Sequence, residues 1–98
     1  MRTEVRWSGQ VKDFSAALAP EPRRKLRTAI RALADDAGDT RALVDELNDY
    51  HRLRVGHFRV IFRTGMERGV RTINCLFVER RNVVYELFRK LVLDDIRN

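Results

Sequence analysis

Cysteine is almost absent. Cys75 stands alone among 98 residues, so no intrachain disulfide can form and no cysteine-based zinc site can be built. Long apolar runs are also missing, and none approaches the roughly 20 residues that a membrane span needs. The opening stretch MRTEVRWSGQ has no apolar core of the kind a secretory signal carries. These absences point to a cytoplasmic protein with no membrane partner. There is no repeat, low-complexity segment or linker, and the length suits one small domain spanning residues 1–98. A glycine-rich phosphate loop and an acidic metal cluster are lacking, so neither metal nor cofactor is expected. Lysine is scarce: of 20 basic residues only Lys12, Lys25 and Lys90 are not arginine.

What is present is a charged, globular composition, 44% hydrophobic and 35% charged, with a net charge of +6. The placement of that charge carries more information than its size. Residues 1–49 hold nine basic and nine acidic side chains, whereas residues 50–98 hold eleven and five. Between Tyr50 and Arg81 there are eight arginines, against Glu67 and Glu79 alone. Arginine-rich codon usage explains the preference over lysine, but not the concentration in one half. A field of one sign confined to part of a small domain suggests an anionic partner, and the guanidinium fork suits phosphate.

Periodicity divides the chain into elements. Thr3, Val5 and Trp7 alternate with Glu4 and Arg6 as a short strand, and Ser8-Gly9 forms a turn and helix cap. Val11, Phe14 and Leu18 have helical spacing, and Pro20 and Pro22 separate that helix from a second one. Leu26, Ile30, Leu33 and Ala37 mark the inner face of the second helix, with Gly38 as its C-terminal cap. Residues 39–49 read as either a short helix, from Leu43 and Leu47, or a covering loop. Three consecutive antiparallel strands follow. YHRLRV turns through Gly56-His57 into FRVIFR, and TGMERG is a loop leading to VRTINCLFV. In the last strand Arg71, Ile73, Cys75 and Phe77 share one face, and Val70, Thr72, Asn74 and Leu76 the other. Val84, Leu87, Phe88 and Leu91 then space as a C-terminal helix. The expected architecture is α+β: strand–helix–helix–three antiparallel strands–helix, one curved sheet with the helix pair on one face and the other partly open. Arg52, Arg54, Arg59 and Arg63 would gather on that open face. Like charges only about 4.5–5.5 Å apart at Cβ repel unless an anion sits among them.

This order of elements, the hairpin segment YHRLRVGHFRVIF and the segment ERRNVVYELF together resemble the RelE/ParE toxin superfamily of bacterial type II toxin–antitoxin pairs. The likeness covers nearly the whole chain. It implies a compact RelE-like fold with a basic cleft, and a toxin that inhibits translation as a ribosome-dependent mRNA interferase, an endoribonuclease cutting mRNA in the ribosomal A site. On the matching positions the catalytic residues are Arg52, Arg59, Arg81 and Tyr85, and the RNA-binding residues Arg54, His57, Arg63 and Arg80. The implied partners are a cognate antitoxin, mRNA, and operator DNA only through the antitoxin complex. There are departures. His51 and Arg52 stand where several RelE-type enzymes place lysines, Val84 where others have a histidine, and Glu79 where arginine or histidine is frequent.

Metal-free RNA cleavage needs a base for the 2′-OH, stabilisation of the phosphorane and a proton for the leaving 5′-oxygen. Arginines serve the second need. An isolated tyrosine titrates near ~10, so it serves as a base only beside positive charges such as these. His51 and His57 are acid–base groups by chemistry but match no catalytic position, and are expected to contact RNA or lie exposed. The alternative readings are that Tyr85 simply packs its ring on the sheet, and that Arg52 and Arg54 form an antitoxin-binding or solvated face. Two rival functions follow: a ParE-like DNA gyrase poison, which is not an enzyme, and an inactive member that only binds antitoxin and operator DNA.

Overall fold

The computed structural model describes residues 2–97, with side chains through Val92. Strand β1 (Thr3–Trp7) turns Val5 and Trp7 toward the core. Ser8 is extended, and its hydroxyl accepts from the Val11 N–H at 3.2 Å, which caps helix α1 (Gly9–Ala16). Helix α2 (Pro20–Ala32) begins on its prolines, as their fixed φ favours. Val11, Leu26, Ile30 and Leu33 pack on Leu53, Val60, Phe62, Ile73, Cys75 and Val78, so the helix pair covers one sheet face as expected.

The end of α2 differs from expectation. The helix tightens into a 3-10 turn (Leu33–Asp35) and stops at Asp36, whose left-handed φ of 57° takes the capping role assigned to Gly38. Aspartate tolerates this conformation because its short polar side chain can bond locally. Gly38 answers a different need: a Cβ there would meet Leu53 Cδ1 at 2.9 Å.

Residues 39–49 are neither simply helix nor loop. Strand β2 (Asp39–Ala42) pairs antiparallel with β3 (His51–Val55), and a 3-10 turn (Asp45–Leu47) buries Leu47. The sheet therefore has five strands, in the order β1-β5-β4-β3-β2. It is mixed, since β1 runs parallel to β5. Strand β4 (Phe58–Glu67) follows the two-residue turn at Gly56-His57, where Gly56 has φ 57°. Strand β5 (Val70–Arg80) follows a turn at Arg68-Gly69 with both φ values positive. That pattern suits a tight two-residue hairpin, so much of the expected TGMERG loop is strand.

A β-bulge sets the second face. Ile61 pairs with Phe77 and Phe62 with Cys75, leaving Leu76 extra on β5. Alternation inverts there. Ile73, Cys75 and Val78 face the helix pair, whereas Phe77 leaves the face expected for it and joins Leu76 on the other side. Helix α3 (Val84–Arg97) lays Val84 and Phe88 on Ile61, Phe77 and Leu47, and the Tyr50 and Phe88 rings meet edge to face at 4.9 Å. The face expected to be partly open is thus divided, one part under α3 and the rest left to charge. No helix among the described residues is long and apolar enough to cross a membrane.

Candidate active site

The β3–β4 hairpin places Arg54 directly opposite Arg59, with Arg52 two residues along on the same face. After β5 the chain turns back beside this hairpin, and the Arg81 N–H donates to the His57 carbonyl at 2.9 Å. That bond anchors the segment from which Arg81 and, in the first turn of α3, Tyr85 approach Arg59. The Gln10 side chain fixes β5 just upstream, donating to the Val78 carbonyl at 2.7 Å and accepting from the Val78 N–H at 2.8 Å.

Arg59 is the centre of the group. It is only 8% exposed. Its Nη1 donates to the Gly56 carbonyl at 2.8 Å and the Phe58 carbonyl at 2.9 Å. No carboxylate among the described residues comes within ion-pair distance, although Glu79 is its ladder partner; the Glu79 carboxylate instead accepts from the Arg80 N–H at 3.0 Å. Burial pushes the Arg59 pKa down, and the neighbouring Arg54 lowers it further. Tyr85 acts in the opposite direction, while Arg52 and Arg81 add smaller depressions. The guanidinium keeps its charge at neutral pH. A buried cation among like charges and without a counterion is destabilised, and an arriving anion relieves that cost.

The other expected residues divide. Arg54 is exposed and in no ion pair among the described residues. Arg52, its side chain 12% exposed, is held by Asp39, donating to the backbone carbonyl at 3.0 Å and the carboxylate at 3.2 Å. Arg81 is exposed and Tyr85 is 37% exposed. These five residues form one basic surface. Arg63 is set apart, its guanidinium 5.5 Å from the Tyr50 ring centre and bordering Phe88 and Leu91 rather than Arg59. Arg80 follows Val78 in the strand alternation and so lies toward the helix-pair side. The His57 side chain is exposed at the hairpin turn. His51 does not lie exposed: it stacks on Phe62 at 5.4 Å, on the helix-pair side, with Nδ1 buried and unpartnered.

Asp39 and the carbonyls of Gly56 and Phe58 escaped the sequence reading as parts of the site, and Glu79 entered it only as a departure from the family pattern. Asp39 is visible only once β2 is known to be a strand. The carbonyl contacts have no side-chain signal at all.

No protein-family model matches this sequence, and no curated protein does. Solved structures do match. A YoeB/ParE toxin from Agrobacterium tumefaciens aligns at TM-score 0.64 and 16% identity, over 83% of this chain and 99% of that one. The RelBE2 toxin–antitoxin complex of Mycobacterium tuberculosis gives 0.65 and 20%, over 80% and 90%. The archaeal RelE–RelB complex of Pyrococcus horikoshii gives 0.64 and 23%, over 83% and 97%. The chain has the fold shared by RelE- and ParE-type toxins.

Proposed function

We propose that this protein is the toxin of a type II toxin–antitoxin pair and cleaves mRNA in the ribosomal A site. The observation that carries the reading is Arg59: a buried guanidinium, without a carboxylate partner, surrounded by Arg52, Arg54, Arg81 and Tyr85. In this reading the scissile phosphate supplies the missing anion. The Tyr85 side chain is the base that takes the 2′-OH proton. The 2′-oxygen then bonds to phosphorus, and the bond to the 5′-oxygen breaks. A 2′,3′-cyclic phosphate and a 5′-hydroxyl result, with the leaving oxygen taking its proton from solvent. Arg59 and Arg81 stabilise the charge that gathers on the phosphorane. Arg52 joins them when it leaves Asp39. A cytoplasmic location and control by a cognate antitoxin, with operator DNA reached only through that complex, belong to the same proposal.

Induction in bacteria followed by primer extension tests it. Cuts in translated transcripts are expected, with translation stopping before replication. Arg59→Ala is expected to slow single-turnover cleavage on programmed ribosomes by about a hundred- to a thousandfold, the cost typical of one lost transition-state donor. Tyr85→Phe removes only a hydroxyl and should also slow cleavage while leaving the melting curve in place. Intact mRNA together with a DNA-damage response would replace this reading with gyrase poisoning. Unchanged cleavage in both variants would overturn the catalytic assignment.

A further inference from the structure

The balance of charge in residues 1–49 conceals an asymmetry. Three of the acids that follow α2 are occupied by arginines from elsewhere: Asp36 pairs with Arg71, Asp39 with Arg52 and Glu46 with Arg89. On α2 Lys25 pairs with Glu21, and the arginines are left without a carboxylate among the described residues. Arg23, Arg27 and Arg31 recur every four residues, a rise of about 6 Å per step, and with Lys12, Ser15 and Trp7 they line a groove of about 460 Å³ between α1 and α2. Arg24 borders a second groove that shares Arg23, Arg27 and Arg31. Arg23 is committed to the fold, since it donates to the carbonyls of Ser15, Ala16 and Leu18 at the end of α1 (2.8–3.2 Å). Lys12, Arg24, Arg27 and Arg31 have no carboxylate within ion-pair distance among the described residues.

We infer that this arginine-lined groove on α2 is a second RNA-binding surface, one that grips the phosphate backbone of a folded RNA without cutting it. The inference rests on the RNA reading above but concerns the other side of the molecule. The helix pair covers one sheet face, while Arg59 and Tyr85 lie on the opposite one. The thinnest dimension of the molecule is 22 Å. A strand threaded past Arg59 does not also fill the α2 groove, so the RNA must flank the protein on two sides. An acidic protein partner suits the groove less well. Protein partners are held chiefly by buried apolar anchors, and the exposed large hydrophobic residues among the described ones are Val44, Met66, Tyr85, Leu87 and Leu91, none of which lines it. A row of arginines with no carboxylate partner among the described residues, beside the single half-buried ring of Trp7, matches a polyanion read through its backbone.

The test uses the full chain and a 2′-O-methyl RNA hairpin, which cannot undergo 2′-OH attack, so binding is measured apart from cleavage. Trp7 is the only tryptophan and lines the groove, so its emission reports occupancy there. Hairpin binding is expected to change Trp7 emission in the wild type and in Arg59→Ala alike. Arg24→Gln/Arg27→Gln/Arg31→Gln exchanges good helix formers on an exposed surface, so its circular dichroism should be unchanged. This variant should lose the Trp7 response and reduce the slope of log affinity against log salt by about 2–3, one counterion step per phosphate contact. An unchanged slope in the triple variant overturns the inference, as does a polyglutamate chain that gives the same Trp7 response at equal charge. Failure of mRNA cleavage with the hairpin response intact would remove the nuclease reading and leave this surface standing.

Discussion

Arg59 shows how one residue joins fold and chemistry. Its two carbonyl partners, Gly56 in the hairpin turn and Phe58 just after it, fix the guanidinium before any ligand arrives. Lysine at this position keeps the charge but loses the planar fork. Arg59→Lys is therefore expected to retain more RNA binding than Arg59→Ala while remaining well below wild type in single-turnover cleavage; equal cleavage by Lys and Arg would mean that charge alone matters. Cys75 is the opposite kind of residue, chemically quiet because of where it sits. It is 1% exposed in the helix-side core, and burial pushes its thiol up to about 12. An unfolded cysteine ionises near ~8.5. Above that pH the unfolded chain sheds a proton that the folded chain keeps, so unfolding becomes easier as pH rises from there toward the folded value. Chemical denaturation across this range should show stability falling, with this component absent in Cys75→Ala. Iodoacetamide should leave the native thiol unmodified at neutral pH.

At the scale of elements, the end of β5 depends on a side chain that does the work of a neighbouring strand. Strand β1 stops at Trp7 opposite Cys75. Beyond it the Ser8 hydroxyl donates to the Leu76 carbonyl at 2.7 Å, and Gln10 takes both backbone groups of Val78. Gln10→Ala strands an N–H and a carbonyl, and each unsatisfied buried group costs about 1–3 kcal/mol. A lower melting temperature is expected, together with reduced cleavage if the proposed function holds, because the Glu79–Arg81 segment beside Arg59 begins where Gln10 holds Val78. A variant that melts with the wild type would show that water replaces the amide. The same region shows where sequence patterning ran out. The helix pair and the alternation of β3 and β4 were legible because each has one apolar stripe of regular period. Phe77 was not, since a single bulged residue reverses every side chain beyond it and leaves no mark in the composition. Strand β2 was missed because all four of its residues are exposed, so an edge strand without an apolar face has no period to read. Arg52, Arg59, Arg81 and Tyr85 were named through the resemblance, and the fold brings them near one another. Arg63 shares their strand face but is claimed by Tyr50 across the second core.

For the whole molecule, positive charge and exposed apolar surface occupy different places, and this predicts two kinds of binding with different responses to salt. Leu87 is 40% exposed and Leu91 50%, both on α3 beside the second core. An antitoxin that is largely disordered and acidic-to-amphipathic when free would fold onto such a surface and screen the arginines nearby. Burial of apolar area holds that complex, whereas phosphate contacts hold RNA, and at 1 M salt exposed charges act over only about 3 Å. Co-expression with the adjacent reading frame should therefore yield a complex that survives 1 M sodium chloride, under which the 2′-O-methyl RNA hairpin is released. Leu87→Glu/Leu91→Glu should weaken the protein complex and leave the hairpin's salt slope unchanged, because neither residue belongs to the basic surfaces. If the protein complex instead dissociates along the same salt curve as RNA, the partner is held by the arginines alone and the exposed face of α3 has no part in its recognition.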